Sequence, residues 1–291
     1  DEETVSVPQD TTCLNYTTHR ATTGMGPLGA GDGSKGYGMF VHSAIAISES
    51  GVPLGLLHQQ SWSRSKQIGR KHDRKKRPLE DKESFRWIQT ARAVEAAVPA
   101  DRRLIQLADR EADFFEMFAE PRREGSFLLV RVYQNRRLEH DERLLWDKVA
   151  QLQPASTYEM LVHTSHTTTT GKAHLELRFG PVTIQPPCDG VHDKELEPIT
   201  LTAIEVRDID APEGADAICW RLLTDLSVDS VKTAKLYVKY YELRWLIERY
   251  HYVLKSGCQI EDSQLRSFEA IERLLALFSA VAIRLLWLTY S

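Results

Sequence analysis

Apolar positions in the stretch from Tyr240 to Lys255, YYELRWLIERYHYVLK, recur at helical rather than strand spacing. At about 100° per residue, Leu243, Leu246, Ile247, Tyr250, Val253 and Leu254 fall at roughly 120° to 240°. Tyr241, Arg244, Glu248 and Lys255 fall within a stripe about 60° wide on the other side. One amphipathic helix over 240–255 is predicted, with its apolar face docked and its opposite face presenting a carboxylate, two cations and a phenol. A solvated surface with an Arg244 to Glu248 pair would account for the charges alone. Trp245 and Tyr252 flank the stripe, however, as they would on a surface that holds something planar.

The remaining pattern builds a sheet around this helix. VSVPQDTTCLNY reads as a short strand with Asp10 near its end, and Pro8 predicts an edge position or a bulge. Gly24 to Gly38 is too rich in glycine for a regular element and reads as a long turn. GMFVHSAIAIS and VPLGLLHQQSWS are apolar runs separated by SESG, a hairpin signal, so the first three strands are expected to form an antiparallel meander. Lys82 to Val98 has helical spacing and stops at Pro99, which makes it a crossover helix. A buried-type strand over Leu104 to Ala108 delivers Asp109 at its end and leads into a helix from about Ala112. A carboxylate at that end of a central strand is a common place for chemistry in α/β sheets, and a helix N-cap is the alternative use for it.

From Gly125 to Ser227 the texture changes to alternating runs such as STYEMLVHTS, KAHLELRFGPVTI, PITLTAIEVRDI and AICWRLLTDL, a β-rich insertion. Trp220 lies in the last of these. SFEAIERLLALFSAVAIRLLWL then reads as a strongly apolar helix that packs on the sheet. The fold class expected is α/β.

Composition narrows the function classes. The chain has 291 residues, 42% hydrophobic, enough for a substantial core. It has no apolar run of 18 or more residues, so a soluble protein with no membrane partner is expected. Cys13, Cys188, Cys219 and Cys258 show no ligand spacing, which fits a reducing cytoplasm. The net charge of -4 confines any nucleic-acid binding to local patches. The most basic run, Arg64 to Arg77, is either a solvated loop or a phosphate contact. His163, His166 and His174 are read as solvated hairpin residues. With no initiating Met and no leader, the chain is expected to be a fragment or an excised core.

The spacing Tyr241-x2-Arg244-x3-Glu248-x6-Lys255 resembles the signature of the DDE transposases of bacterial insertion sequences in the insertion-sequence-four group. Asp10 followed by Thr11 and Thr12, and Asp109 in Asp-Arg-Glu-Ala-Asp, resemble that family's other two acid motifs, in the same order. The resemblance implies a ribonuclease-H-like mixed-sheet catalytic core, residues 1–124 and 228–291, interrupted by the β-rich insertion 125–227. It implies that Asp10, Asp109 and Glu248 are catalytic and hold two Mg²⁺ ions, with Mn²⁺ able to substitute. Tyr241, Arg244 and Lys255 would hold DNA phosphates, and Trp220 would stack on a flipped base. Cut-and-paste transposition follows: nick, hairpin, resolution and joining to target. The partners implied are double-stranded transposon ends and target DNA, with a homodimer in the DNA complex, in the bacterial cytoplasm at the nucleoid. The alternative is a non-catalytic DNA-binding or inhibitory derivative.

Overall fold

The computed structural model describes residues 3–29, 36–64, 77–163, 170–187, 196–211 and 217–291. In chain order the strands are β1 Thr4–Asn15, β2 Gly26–Pro27, β3 Tyr37–Ile47, β4 Pro53–Trp62, β5 Arg103–Ala108 and β6 Ser126–Arg131. They continue with β7 Arg137–Leu138, β8 Asp141–Leu144, β9 Ser156–His163, β10 Thr170–Ile184, β11 Ile199–Asp208 and β12 Cys219–Thr224. The α-helices are α1 Phe85–Ala97, α2 Phe115–Ala119, α3 Leu145–Gln151, α4 Val231–Glu242, α5 Trp245–Tyr252 and α6 Phe268–Tyr290. Two compact units result: Asp1–Leu107 with Arg122–Ser126 and Glu242–Ser291, and Ala108–Pro121 with Phe127–Tyr241.

In the first unit β1 is central, antiparallel to β3 and parallel to β5, and β4 extends the sheet as the hairpin partner of β3. The expected meander is present. Gly51, at φ +89 in the β3–β4 turn, takes a left-handed conformation that a side chain would strain. Pro8 departs from its expected place. It lies inside β1 with neighbours on both sides, and the β1–β3 ladder passes from Ser6–Ile47 to Gln9–Ala44 without using it. A buried central strand accepts this proline because the ladder resumes at once, so only local pairing is lost.

Alternation along the strands assigns two faces. Met39, Val41, Ile45 and Ile47 pack with Leu246, Ile247, Tyr250, Leu254, Ile271 and Leu275 of the C-terminal helices. Ala44 and Ala46, with Val5, Val7 and Leu104, pack against Val94 and Val98 at the end of α1. The crossover helix and the C-terminal apolar helix therefore form as expected, one on each face. Ser267 caps α6 by accepting from the Ala270 amide at 3.2 Å.

The second unit is largely antiparallel, with β6, β12, β11 and β10 paired in that order and β9 and β7 both paired to β10. The β-rich texture read between residues 125 and 227 corresponds to these strands, with the short α3 among them. The buried Asp113 carboxylate holds the β6–β7 connection by accepting from the amides of Tyr133 and Gln134, both at 2.8 Å, and by pairing with Arg136. The basic run read as a loop lies outside the described residues except at Arg64 and Arg77, as do His166 and Cys188.

Candidate active site

The same alternation that sorts the core places Asp10. Its neighbours Gln9 and Thr11 face α1: Thr11 accepts from Arg86 Nε at 3.0 Å and its hydroxyl lies 2.8 Å from His42 Nδ1, while Gln9 Oε1 is 3.4 Å from His42 Nε2. Asp10 and Thr12 therefore project from the other face, the one that α5 covers. Burial, and after it the nearby Arg86 charge, hold the His42 imidazole well below its usual pKa, so it is neutral. A neutral ring can accept from the Thr11 hydroxyl and donate to Gln9. Gln9 in turn donates to Gln106 at 3.0 Å. This chain of bonds fixes β1 on either side of Asp10, and the Thr11 amide donates to the Asp10 carboxylate at 2.8 Å.

Glu248 comes from α5. Arg244, one turn earlier, donates to Glu248, and its other terminal nitrogen is 4.0 Å from Asp10 Oδ2. The Arg244 and Asp10 side chains are each 17% exposed and Glu248 is 55% exposed. An exposed i,i+4 pair contributes only about 0.5 kcal/mol. The guanidinium's significance is its position, because one cation spans two carboxylates that would otherwise repel. Asp10, Thr12, Glu248, Tyr252 and Lys255 line one cavity of about 240 Å³, with His251 also at its wall.

His251 anchors α5 to the sheet. Its Nε2 lies 3.3 Å from Ser43 Oγ, and Ser43 is the β3 residue paired with Asp10. Gln59 donates to Ser43 at 3.1 Å and to the Tyr250 hydroxyl at 2.8 Å, and Ser279 of α6 donates to Gln59 at 2.9 Å. Burial, reinforced by the Lys255 charge, lowers the His251 pKa to about 3, and burial pushes the Tyr250 phenol up to about 12. Neutral polar groups from β3, β4, α5 and α6 thus set where Glu248 stands relative to Asp10. Sequence reasoning passed over His251, Ser43 and Gln59. The visible signal was the polar pair His42–Ser43 inside the apolar run GMFVHSAIAIS, since buried polar groups require partners.

The single helix expected over 240–255 is not continuous. α4 ends at Glu242 and α5 begins at Trp245. At the joint, Leu246 N bonds Leu243 O and Ile247 N bonds Arg244 O, three residues back rather than four, which is a tightened turn. At the other end Val253–Gly257 forms a π-helical turn closed by Cys258 N to Val253 O at 2.8 Å, a widening that carries Lys255 at the cavity wall.

Tyr241 therefore leaves the stripe. It belongs to α4 in the second unit, is 4% exposed, and packs edge-to-face with Trp220 at 5.6 Å between ring centroids. Trp220 itself is half-buried on β12, opposite Val206. Arg244, Glu248 and Lys255 remain together with Asp10. Trp245 and Tyr252 are exposed, as their flanking positions implied. Asp109 directly follows β5, and its carboxylate accepts from the Glu111 amide at 2.8 Å, capping the short turn Arg110–Ala112.

Among the described residues, no group of three or more His, Cys, Asp or Glu side chains is gathered to hold a metal ion. The Asp10 and Glu248 pair nevertheless suits a hard divalent cation: its donors are oxygens, and a cationic guanidinium already stands between them.

A central strand antiparallel to one neighbour and parallel to the other, helices on both faces, and an acid-bearing helix over that strand define a ribonuclease-H-like α/β fold. The sequence model of the transposase DDE domain matches residues 30–284, and the chain belongs to that family. Such domains act on DNA, cleaving and joining strands, and they generally use divalent metal ions. The matched span contains Asp109 and Glu248 and begins after Asp10, whose tie to Glu248 is the shared cavity. No described helix is long and apolar enough to cross a membrane.

Proposed function

We propose that this chain is the catalytic core of a cut-and-paste transposase of the insertion-sequence-four group. The observation that carries the reading is Asp10 and Glu248 in one cavity, bridged by Arg244 and joined by Lys255. Asp109 is the third acid. The parallel β1–β5 register pairs Pro8 with Leu107, so Asp10 and Asp109 each lie two residues past the same rung. Residues 1–124 and 228–291 would form the core and 125–227 the insertion.

Two Mg²⁺ ions, or Mn²⁺ in their place, would activate the attacking oxygen and stabilise the leaving one. The chain's own part is positional. Asp10, Asp109 and Glu248 hold the ions, while Arg244 and Lys255 neutralise phosphate charge beside the scissile bond. Trp220, supported by the Tyr241 ring, offers a stacking surface that offsets the cost of unstacking a flipped base, about 1 to 3 kcal/mol per base. Tyr241 acts through Trp220 rather than through its own hydroxyl on a phosphate. Hairpin formation, its resolution and joining to target then repeat one phosphoryl-transfer chemistry, with two copies of the chain on paired DNA ends.

The test is cleavage of double-stranded transposon-end DNA with Mg²⁺ or Mn²⁺, comparing the native chain with Glu248→Gln. The reading expects nicking and hairpin products from the native chain, and bound but uncut DNA from the variant. Native protein that binds DNA and never cuts it would identify the non-catalytic, inhibitory derivative instead.

A further inference from the structure

A second cavity, of about 290 Å³, lies in the first unit beyond the end of β1. Thr18, His19, Arg20 and Thr22 form one wall, and Gln264 and Arg266 the other. Both arginines are exposed, and His19 is held edge-on against the buried Tyr16 ring at 5.5 Å. The walls are fastened together. Tyr16 OH donates to Ile260 O at 2.7 Å, Thr22 Oγ1 to Leu265 O at 3.0 Å, and Thr23 N to Arg266 O at 2.9 Å. Phe268 N returns a bond to Thr23 O at 3.0 Å.

The same two segments, traced back, carry the carboxylate cavity: β1 supplies Asp10 and Thr12, and α5 with its π-helical turn supplies Glu248 and Lys255. The two cavities therefore lie along one seam of the first unit. Beyond Asn15 and Lys255 this seam also carries the carboxylates Glu261, Asp262 and Glu269. Glu261 accepts the Asn15 amide at 2.6 Å, and Glu269 is bonded to Ser267 at the α6 N-terminus. Guanidinium groups, a ring nitrogen and hydroxyls around an open cavity are the donor set of a phosphate site.

We propose that Arg20 and Arg266 grip backbone phosphate of duplex DNA flanking the cleavage point. Five strand residues separate Asp10 from Asn15, roughly 17 Å at about 3.4 Å per residue. With the loop beyond, the second cavity stands on the order of 20 to 25 Å from the acids, or roughly six or seven base pairs of stacked duplex. Its role is to fix the DNA's direction across the acids, a positioning contact without base readout.

The inference rests on the reading of the chain as a DNA-processing domain, and one experiment separates the two. Binding of a mixed-sequence 24-base-pair duplex probe (about two helical turns, long enough to span both cavities) is measured by fluorescence anisotropy in EDTA across a salt series. The proteins are the native chain, R20A/R266A and R20K/R266K, each checked for an unchanged thermal transition. The expected result is a salt slope lower by about 2 for the alanine variant, at about 0.9 per lost phosphate contact, and restored by lysine. An unchanged slope in a native protein that binds DNA overturns the second site and leaves the function standing. Absence of binding by the native chain overturns the functional reading and this inference with it.

Discussion

Acid should loosen the packing of the helix that carries Glu248. His251 titrates near 6.5 in an unfolded chain and at about 3 in the fold, because burial and then the Lys255 charge disfavour its cation. Its folded pKa is depressed, so the unfolded chain binds more protons between those values. The stability it contributes is complete above about pH 6.5 and is lost progressively as pH falls toward 3. Each pH unit inside that window changes the folding equilibrium by up to about tenfold for one proton. From pH 6.5 to 4.5 the His251 share alone is about fiftyfold. His42 is lowered in the same sense and adds to the effect, whereas the exposed His174, raised by its bonds to Glu159 and Asp210, opposes it weakly. The assay is urea unfolding followed by tryptophan fluorescence at several pH values, for the native chain and for His251→Asn, whose amide oxygen can still accept from Ser43. The native midpoint should fall more steeply than the variant's between pH 6.5 and 4.5. Parallel curves would refute the claim that a neutral buried imidazole anchors α5.

Two further outcomes test the site. Arg244→Ala removes the cation spanning Asp10 and Glu248; calorimetric titration should show tighter Mn²⁺ binding, while the salt slope of DNA binding falls by about 1. Unchanged Mn²⁺ affinity would mean that the guanidinium does not occupy the metal's place. Trp220→Ala takes away the ring that meets Tyr241 and should slow hairpin formation more than the first nick in a gel time course. Equal slowing of both steps would assign Trp220 to packing alone.

The apolar face of α5 was readable because 3.6-residue periodicity survives any local bend: Leu246, Ile247, Tyr250 and Leu254 are all buried as expected. Tyr241 was not, since extending 100° per residue across residues 243 and 244 assumes four-residue hydrogen bonds where the chain makes three-residue ones. The same limit applies to Lys255, whose π-helical turn has no mark in the sequence. Pro8 misled because edge placement is a tendency of prolines in general, while the parallel β1–β5 pairing that buries this one is non-local. The juxtaposition of Asp10 and Glu248 was legible from their motifs. The polar network beneath them was not, because His251, Ser43 and Gln59 come from three elements and meet only once those elements pack.

The central claim is that Asp10, Asp109 and Glu248 surround the same metal ions, and metal-directed backbone cleavage tests it without requiring activity. Fe²⁺ substituted for Mg²⁺, with ascorbate and peroxide, generates radicals that cut the polypeptide beside its ligands. The account predicts cuts near residues 10, 109 and 248 together, each suppressed by excess Mg²⁺. Cuts near 10 and 248 but not 109, or a pattern that Mg²⁺ leaves unchanged, would contradict it.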